Sequence, residues 1–419
     1  MKPTPYRWII LLVFMLVTVT IEIQWLTHAA VMRPAEVFYH GQYNPDSLFN
    51  IDFLAMSYML FFMLMSFPAS YLIGKLGIKK SLSFGAIVSA IAAIGKAAFA
   101  SSFMGVVIFQ VLLALAQPFI INAVTAVTVR WFPFSERAMA GGLLALAQYL
   151  GIVIAMLVTP LMIGINPDLP DYGSGFEKML WIYGIITAVS SLALVLFIKE
   201  NPDNYSPEEE EVRKPFGEGV LHILKNRDSQ ITLLLFFIGL GIFNAVSSMT
   251  DSISEYAGVK DSDGLVGGLM LIGGIIGALI LPALSDKFRK RRIFMVVCIA
   301  GMVPGVMGLS YAGNFGLSPA YTYSVLLSSA FILGFFVMSA GPIGFQYAAE
   351  INYPAPESAS QGMMLWTGQL SGMLFVAGMS ARHNEHFSSF MHLFSALAVV
   401  CFILALFLRE SPAVSTNNN

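Results

Sequence analysis

The chain is short of charge and of cysteine. Charged residues make up only 11% of its 419 residues, and 57% are hydrophobic, whereas about 25% of an ordinary soluble protein is charged. The net charge of −2 offers no basic excess of the kind that attracts nucleic acid. The two cysteines, Cys298 and Cys401, lie in apolar runs and match no disulfide framework or metal-ligand spacing. The composition therefore indicates a membrane protein with no nucleic-acid partner.

Motifs of catalysis and of cofactor binding are also missing. The sequence contains no Walker loop, no paired catalytic carboxylates and no nucleophile elbow, so we expect neither an enzyme nor an ATP-driven pump. A short loop with His383, Glu385 and His386 is interpreted as a solvated loop, with a metal site as the alternative. We therefore expect no cofactor and no bound metal.

About twelve apolar runs follow one another along the chain. Each is close to the roughly 20 residues that a helix needs to cross about 30 Å of hydrocarbon, and a single segment in lipid must satisfy its own backbone hydrogen bonds. The runs lie at 8–31, 52–74, 82–103, 105–129, 139–163, 177–198, 230–250, 264–284, 293–313, 321–347, 361–380 and 387–408. The predicted fold class is an all-α membrane protein with about twelve transmembrane helices.

Lysine and arginine predict the orientation. With the N-terminus in the cytoplasm, eighteen of these residues face the cytoplasm and four face outward, and such a bias sets topology. Lys96 lies inside a span. We therefore expect a multi-pass protein of the plasma (inner) membrane with both termini in the cytoplasm.

One passage occurs twice. "FPFSERAMAGGLLALAQYLG" (132–151) and "YPAPESASQGMMLWTGQLSG" (353–372) share seven identities at a constant offset of 221 residues. The longest polar stretch, 199–228, separates six runs from six. Two similar halves joined by a cytoplasmic linker are typical of secondary transporters. We predict an N-terminal six-helix bundle at 1–200, a linker at 201–228 with a short amphipathic helix, and a C-terminal bundle at 229–419.

A Gly/Asp/basic motif follows the eighth run and, in degenerate form, the second. The eighth-run copy contains Gly277, Asp286, Lys287, Arg289 and Arg291. The second-run copy keeps Lys75, Gly77, Lys79 and Lys80, but Gly74 stands in place of an aspartate. This pattern resembles the major facilitator superfamily. The resemblance implies a gating role for these residues; the alternative is that the basic ones only fix topology.

A narrower resemblance covers most of the chain. The segments "IQWLTHAAV", "FPASYLIGKLGIKK", "VRWFPFSERAMA", "FNAVSS" and "GFQYAAEINYPAPESASQG" are similar to the feline leukaemia virus subgroup C receptor family, which is solute carrier family 49. Members of that family are described as transporters of choline and ethanolamine, of haem, or of vitamin-like amines. The resemblance implies a uniporter or facilitator of a small organic molecule.

Two duplicated glutamines are candidates for substrate contact. Gln148 and Gln369 are related by the repeat, and each lies roughly 12–14 Å into its span at 1.5 Å per residue. An amide in hydrocarbon is costly unless it is hydrogen-bonded. They are predicted to face a central cavity, with an interhelical hydrogen bond as the alternative.

Glu22 is a carboxylate deep in a span, and Trp25 follows three residues later on the same helical face. Together they suit an ammonium group, through charge and cation–π attraction, and the resemblance places Trp25 on the first-span tryptophan that lines the substrate site. The alternatives for Glu22 are a structural partner for Lys96, a buried protonated acid or a proton-coupling group.

Three further amides complete the predicted substrate site. Asn244 stands where the choline-carrying members that the chain resembles have an aromatic residue, which weakens the case for choline itself. Asn122 and Gln346 are predicted to add contacts, with packing between helices as the alternative.

We therefore predict a secondary transporter, acting as a monomer by alternating access, for a choline-like or ethanolamine-like organic cation or amine. The alternatives are a haem, porphyrin or vitamin exporter of the same fold, a proton-coupled symporter of a polar metabolite, and a non-transporting membrane sensor or receptor.

Overall fold

The chain is helical throughout the part that the computed structural model describes. That part comprises residues 4–44, 49–166, 168–202, 214–259, 261, 264–316, 318–380 and 386–411, without the side chains of residues 52, 251, 315 and 380. Within it the helices are α1 (Tyr6–Leu26), α2 (Met32–Phe38), α3 (Ile51–Leu76), α4 (Ile78–Ala98), α5 (Phe103–Ile121), α6 (Val124–Trp131), α7 (Arg137–Met162), α8 (Phe176–Phe197), α9 (Phe216–Lys225), α10 (Arg227–Ser248), α11 (Thr250–Tyr256), α12 (Leu265–Phe288), α13 (Arg291–Tyr311), α14 (Pro319–Ile351), α15 (Glu357–Ser380) and α16 (Phe387–Leu406). No β-strand occurs among these residues, so the all-α prediction is confirmed.

Eleven segments of the described chain are long and apolar enough to cross a membrane. Helices α5 and α6 together form one of them, from Phe103 to Trp131. The eleventh predicted span, at 361–380, coincides with α15, which has 24 residues but is not among these segments. Its sequence explains this, because serine, threonine and glutamine recur along it. A helix of this polarity must bury much of its surface against protein rather than lipid.

Packing divides the chain into two compact units. The first consists of Met1–Trp131 and Ala147–Glu209, and the second of Phe132–Leu146 and Glu210–Asn419. The beginning of the fifth span therefore belongs with the second unit. The predicted linker at 201–228 stays a prediction, since residues 203–213 lie outside the described part.

In the first unit, α4 packs against α8 and α5, α3 packs against α5, and α1 packs against α8. An apolar cluster that includes Tyr39, Phe103 and Phe176 fills one end of this unit. The Tyr39 hydroxyl donates to the Ala100 carbonyl oxygen at 2.7 Å, so the buried phenol is satisfied where α4 ends.

In the second unit, α14 packs against both α12 and α13, α10 packs against α15, and α13 packs against α16. The short amphipathic helix that the linker sequence predicts is present as α9. It is held beside the connection between α14 and α15, because the backbone N–H of Lys214 donates to the Pro354 carbonyl oxygen at 3.0 Å.

Both units begin their third span in the same way. In the first unit the Glu200 carboxylate accepts the backbone N–H groups of Ile78 (3.1 Å) and Lys79 (2.8 Å) at the start of α4. In the second, Glu410 accepts the N–H of Arg292 at 3.0 Å near the start of α13. A carboxylate stabilises the free N–H groups and the positive end of a helix dipole. The segments "LFIKEN" and "LFLRES" therefore mark a second structural repeat.

Candidate functional site

The predicted pair on α1 is present, and Glu22 is bonded to a duplicated glutamine. The side chain of Glu22 is buried, with 2% of its surface exposed. Gln148 on α7 donates from Nε2 to Glu22 Oε1 at 3.2 Å. One amide hydrogen bond leaves most of the acceptor capacity of a carboxylate unused. Among the residues that the structure describes, no basic side chain forms an ion pair with Glu22.

Trp25 is fixed by a hydrogen bond and by an aromatic neighbour. Its indole Nε1 donates to the Ala55 carbonyl oxygen on α3 at 3.0 Å. The indole stacks on Tyr58, with ring centroids 6.3 Å apart and an interplanar angle of 25°. Trp25 is half-buried, so its ring is held in one orientation without being fully covered.

Gly151 and Gly372, which end the two copies of the repeated passage, mark equivalent close contacts in the two units. A Cβ placed on Gly151 would lie 2.7 Å from Glu22 Cβ, and one placed on Gly372 would lie 2.9 Å from Asn244 Cβ. Helix α1 in the first unit and helix α10 in the second therefore approach the repeated passage at the corresponding residue. Glu22 and Asn244 occupy matching places, and the first unit has a carboxylate where the second has an amide.

The second glutamine of the repeat has a different environment. Gln369 is half-buried, and its Oε1 has no hydrogen-bond partner in the described part of the chain. Asn244 Nδ2 lies 3.5 Å from the Gly368 carbonyl oxygen, at the outer limit of a hydrogen bond. These two amides thus keep hydrogen-bonding capacity within the second unit.

Asn122 lies in a contact between helices. Its Nδ2 lies 3.0 Å from the carbonyl oxygen and hydroxyl of Ser66 and from the hydroxyl of Ser70. This buried amide ties the end of α5 to α3, so the packing alternative describes its geometry. A direct role in substrate binding stays a prediction.

Gln346 belongs to a charged cluster within the second unit. Its Nε2 donates to Glu350 Oε1 at 3.0 Å, and Arg291 Nε donates to the same oxygen at 3.2 Å. Gln346 is near the end of α14, a helix of 33 residues, which carries it past the middle of the span. The structure therefore places it with the gating motif, and a direct role in substrate binding stays a prediction.

The eighth-span motif forms a buried ion-pair cluster. Arg291 has 0% of its surface exposed and Asp286 3%, and Arg291 Nη1 lies 2.5 Å from Asp286 Oδ1. The other oxygen of Asp286 accepts the backbone N–H of Met139 at 2.7 Å, and the Arg291 guanidinium lies 5.1 Å from the centre of the Phe134 ring. The motif aspartate therefore ties α12 to the first turn of α7, inside the duplicated passage.

The other motif residues of this half have different surroundings. Lys287 and Arg289 are exposed, and Arg289 adopts the left-handed conformation that ends α12, with φ of 51°. A Cβ on Gly277 would lie 2.0 Å from the Phe335 carbonyl oxygen, so Gly277 allows α12 to pack closely on α14. Three basic gating residues were predicted after the eighth span, and only Arg291 belongs to the buried cluster.

The degenerate copy of the motif after the second span contacts Glu200, which was not among the predicted site residues. Gly77 begins the turn before α4, and the carboxylate of Glu200 lies against this turn. Arg130 forms an ion pair with the same carboxylate. Lys75, Lys79 and Lys80 are exposed, and Lys79 bonds Glu200 through its backbone. The repeat of "KE" and "RE" at the ends of the sixth and twelfth runs was the available signal.

The suggested pairing of Lys96 with Glu22 is wrong. Lys96 is fully buried, and its Nζ donates to both the carbonyl oxygen and Oε1 of Gln24 at 3.2 Å. Gln110 donates to the same carbonyl oxygen at 3.3 Å. Because α1 ends at Leu26, the carbonyls of its last turn have no donors within the helix, and its dipole favours a cation there. Lys96 therefore stabilises the end of α1.

The predicted absence of metal stays a prediction. His383 and Glu385 lie outside the described residues, and within those residues no group of three or more His, Cys, Asp or Glu side chains is placed to hold a metal ion.

Comparison with known sequences identifies similar proteins over most of the chain. The sequence pattern of the Major Facilitator Superfamily matches residues 8–376. Solute carrier family 49 member A3 of Danio rerio is 28% identical, over 88% of this chain and 77% of that protein. The choline/ethanolamine transporter FLVCR2 of Homo sapiens is 24% identical, over 89% of this chain and 71% of that protein. The resemblance to solute carrier family 49 is confirmed.

Solved structures show the same fold. The proton:xylose symporter XylE bound to 6-bromo-6-deoxy-D-glucose has a TM-score of 0.71 at 16% identity, over 97% of this chain and 96% of that chain. FucP in the outward conformation has a TM-score of 0.68 at 15% identity, over 95% and 99%. At this identity the likeness concerns the fold alone, and it agrees with the predicted helical architecture.

Proposed function

This chain belongs to the Major Facilitator Superfamily, and from that premise we propose that it is a secondary transporter that moves a small organic cation across the membrane by alternating access. The cation is an amine of the size of ethanolamine or choline. Five of the similar proteins, human FLVCR2 among them, are named choline/ethanolamine transporters, which supports this class of substrate.

The observation that carries the proposal is the environment of Glu22. Its carboxylate is buried, is bonded to the neutral amide of Gln148 at 3.2 Å, and has no cationic partner in the described part of the chain. A buried charge is costly unless a counter-charge compensates it. A ligand ammonium would supply that charge, and the indole face of Trp25 would attract the same cation.

A thermal-shift panel tests the proposal on the purified protein, since a ligand that binds the folded state raises its apparent stability. The panel contains ethanolamine, choline, the neutral choline isostere 3,3-dimethylbutanol, a small carboxylate and a porphyrin. We expect stabilisation by the two cations and none by the isostere. Glu22→Gln should abolish this effect, and Glu218→Gln, which changes an exposed carboxylate, should preserve it. Equal stabilisation by the isostere would disprove the proposal.

Proton-coupled symport of a polar metabolite is a second candidate, because Glu22 is also a carboxylate buried within a membrane span. Such groups serve as proton relays in transporters. In that case Glu22→Gln should retain substrate binding but lose the dependence of uptake on pH. The two candidates therefore differ in whether this variant loses affinity or only coupling.

We also propose that both termini lie in the cytoplasm, that the protein resides in the plasma (inner) membrane, and that it acts as a monomer. The excess of Lys and Arg on one side of the spans supports the orientation. Protease protection of an epitope at each terminus in sealed inside-out and right-side-out vesicles tests the orientation, and light scattering of the detergent complex tests the monomer.

A further inference from the structure

A buried hydroxyl beside Trp25 has no partner. Tyr58 has 1% of its surface exposed, its ring stacks on the Trp25 indole at 6.3 Å, and its hydroxyl forms no hydrogen bond with any residue that the structure describes. Buried polar groups are nearly always hydrogen-bonded, and leaving one unsatisfied is costly. A hydroxyl in this position is therefore available to a ligand.

Tyr58 stacks on Trp25, and Trp25 lies three residues from Glu22 on the same face of α1. Glu22 uses one oxygen for the Gln148 amide and can accept further hydrogen bonds. Helices α1 and α3 thus bring together the carboxylate acceptor of Glu22, the phenolic hydroxyl of Tyr58, which both donates and accepts, and the indole ring of Trp25. Two of these three groups interact best with a ligand that carries polar hydrogens.

A quaternary ammonium cannot satisfy such groups. Its nitrogen is covered by methyl groups and has no N–H to donate, so the ammonium end would add no hydrogen bond to Glu22 or to the Tyr58 hydroxyl. Quaternary ammonium ligands are held by several aromatic faces. Here the aromatic ring that stacks on Trp25 is that of Tyr58.

From this arrangement we propose that the site selects an ammonium that carries N–H bonds, as in a primary or secondary amine, over a quaternary ammonium, and that Tyr58 is a specificity-determining residue. This inference rests on the proposed function and names the substrate class of the same site. The ammonium donates to Glu22 and to the Tyr58 oxygen, while Trp25 contacts its carbon chain.

The test is a series of titrations with four amines that differ only in the number of N-methyl groups. Ethanolamine, N-methylethanolamine, N,N-dimethylethanolamine and choline are titrated against the purified full-length protein, with isothermal calorimetry as the readout. We expect ethanolamine to bind at least about tenfold more tightly than choline, since a hydrogen bond to a charged group is worth about that factor. The decline should be largest at the step that removes the last N–H.

Tyr58→Phe then tests the residue, because it keeps the ring and removes the hydroxyl. It should lower the affinity for ethanolamine several-fold, leave choline unchanged, and so reduce the ratio between them. The matched control is Tyr183→Phe, since Tyr183 is a buried tyrosine of the same unit whose hydroxyl is already bonded to Thr159 at 3.0 Å. This control should preserve the wild-type ratio.

The outcomes separate this inference from the proposed function. Choline binding as tightly as ethanolamine, or more tightly, would overturn the inference and leave the proposed function intact. A ratio that Tyr58→Phe does not alter would overturn the role of Tyr58. Binding of none of the four amines would overturn the proposed function itself. The wild-type series decides the selectivity even where the Tyr58 variant fails to fold.

Discussion

Replacing Asp286 with asparagine should loosen the contact between α12 and α7. Asp286 uses both oxygens, one for Arg291 Nη1 at 2.5 Å and the other for the Met139 N–H at 2.7 Å. Asparagine keeps one oxygen and replaces the other with an NH₂ group, which has no acceptor to face at either position. One of the two contacts must therefore be lost.

The size of the effect follows from the geometry. A hydrogen bond to a charged group contributes about 1.5–3 kcal/mol, and breaking a buried ion pair costs about 3–5 kcal/mol. Arg291 keeps its ion pair with Glu350 at 3.2 Å. We therefore expect a cost of roughly 2–3 kcal/mol, at the upper end of the range for one hydrogen bond to a charged group and below that for a fully broken ion pair. At 1.4 kcal/mol for each factor of ten, this changes the balance between conformations that keep and break the contact by roughly 30-fold to 150-fold.

Exchange measurements on proteoliposomes check this prediction. The rate of substrate exchange should change much more in Asp286→Asn than the equilibrium affinity for ethanolamine. The control is Lys287→Gln, which changes the adjacent exposed residue and should leave both quantities near wild type. Unchanged exchange in a folded Asp286→Asn protein would refute the gating role. An equal loss of affinity and rate would indicate a folding defect instead.

Three further predictions concern buried polar residues. Gln148→Ala and Gln369→Ala should each lower substrate affinity several-fold, because one lost hydrogen bond costs about 1 kcal/mol. Titration calorimetry checks this prediction. Normal binding by both variants would show that the glutamines only join helices. Asn122→Ala should lower the melting temperature, because the amide that ties α5 to α3 is lost; a thermal melt checks this, and the affinity of the same variant decides between packing alone and a substrate contact. Lys96→Met should also lower the melting temperature, because Gln24 loses both its hydrogen bonds from Nζ; an unchanged value would contradict the stabilising role of Lys96.

The helical architecture was predictable because lipid imposes simple rules. Length and apolar composition identify spans, and the constant offset of 221 residues locates the repeat. Hydropathy alone does not identify α15 as a span, because the passage that carries Gln369 is too polar. The proposed substrate contact uses a polar residue there, so the strongest repeat signal and the weakest hydropathy signal coincide.

The partners of individual side chains were not predictable in the same way. Glu22 and Trp25 share a helix, so spacing alone places them together. Glu22 contacts Gln148 and Lys96 contacts Gln24 because of the rotation of α1 relative to its neighbours. This rotation cannot be read from the spacing of residues along a single sequence. The bond of Gln346 to Glu350 at 3.0 Å was likewise not predicted, because Glu350 was not considered as its partner; a substrate contact of Gln346 stays a prediction.

The central claim is that a carboxylate in α1 binds a transported organic cation. The most direct measurement is uptake of radiolabelled ethanolamine by proteoliposomes that contain wild type, Glu22→Gln or Glu218→Gln, at several pH values. We predict time-dependent uptake by wild type and by Glu218→Gln, and a loss of uptake and affinity in Glu22→Gln at every pH. Uptake by Glu22→Gln with wild-type affinity and an unchanged pH profile would contradict the account.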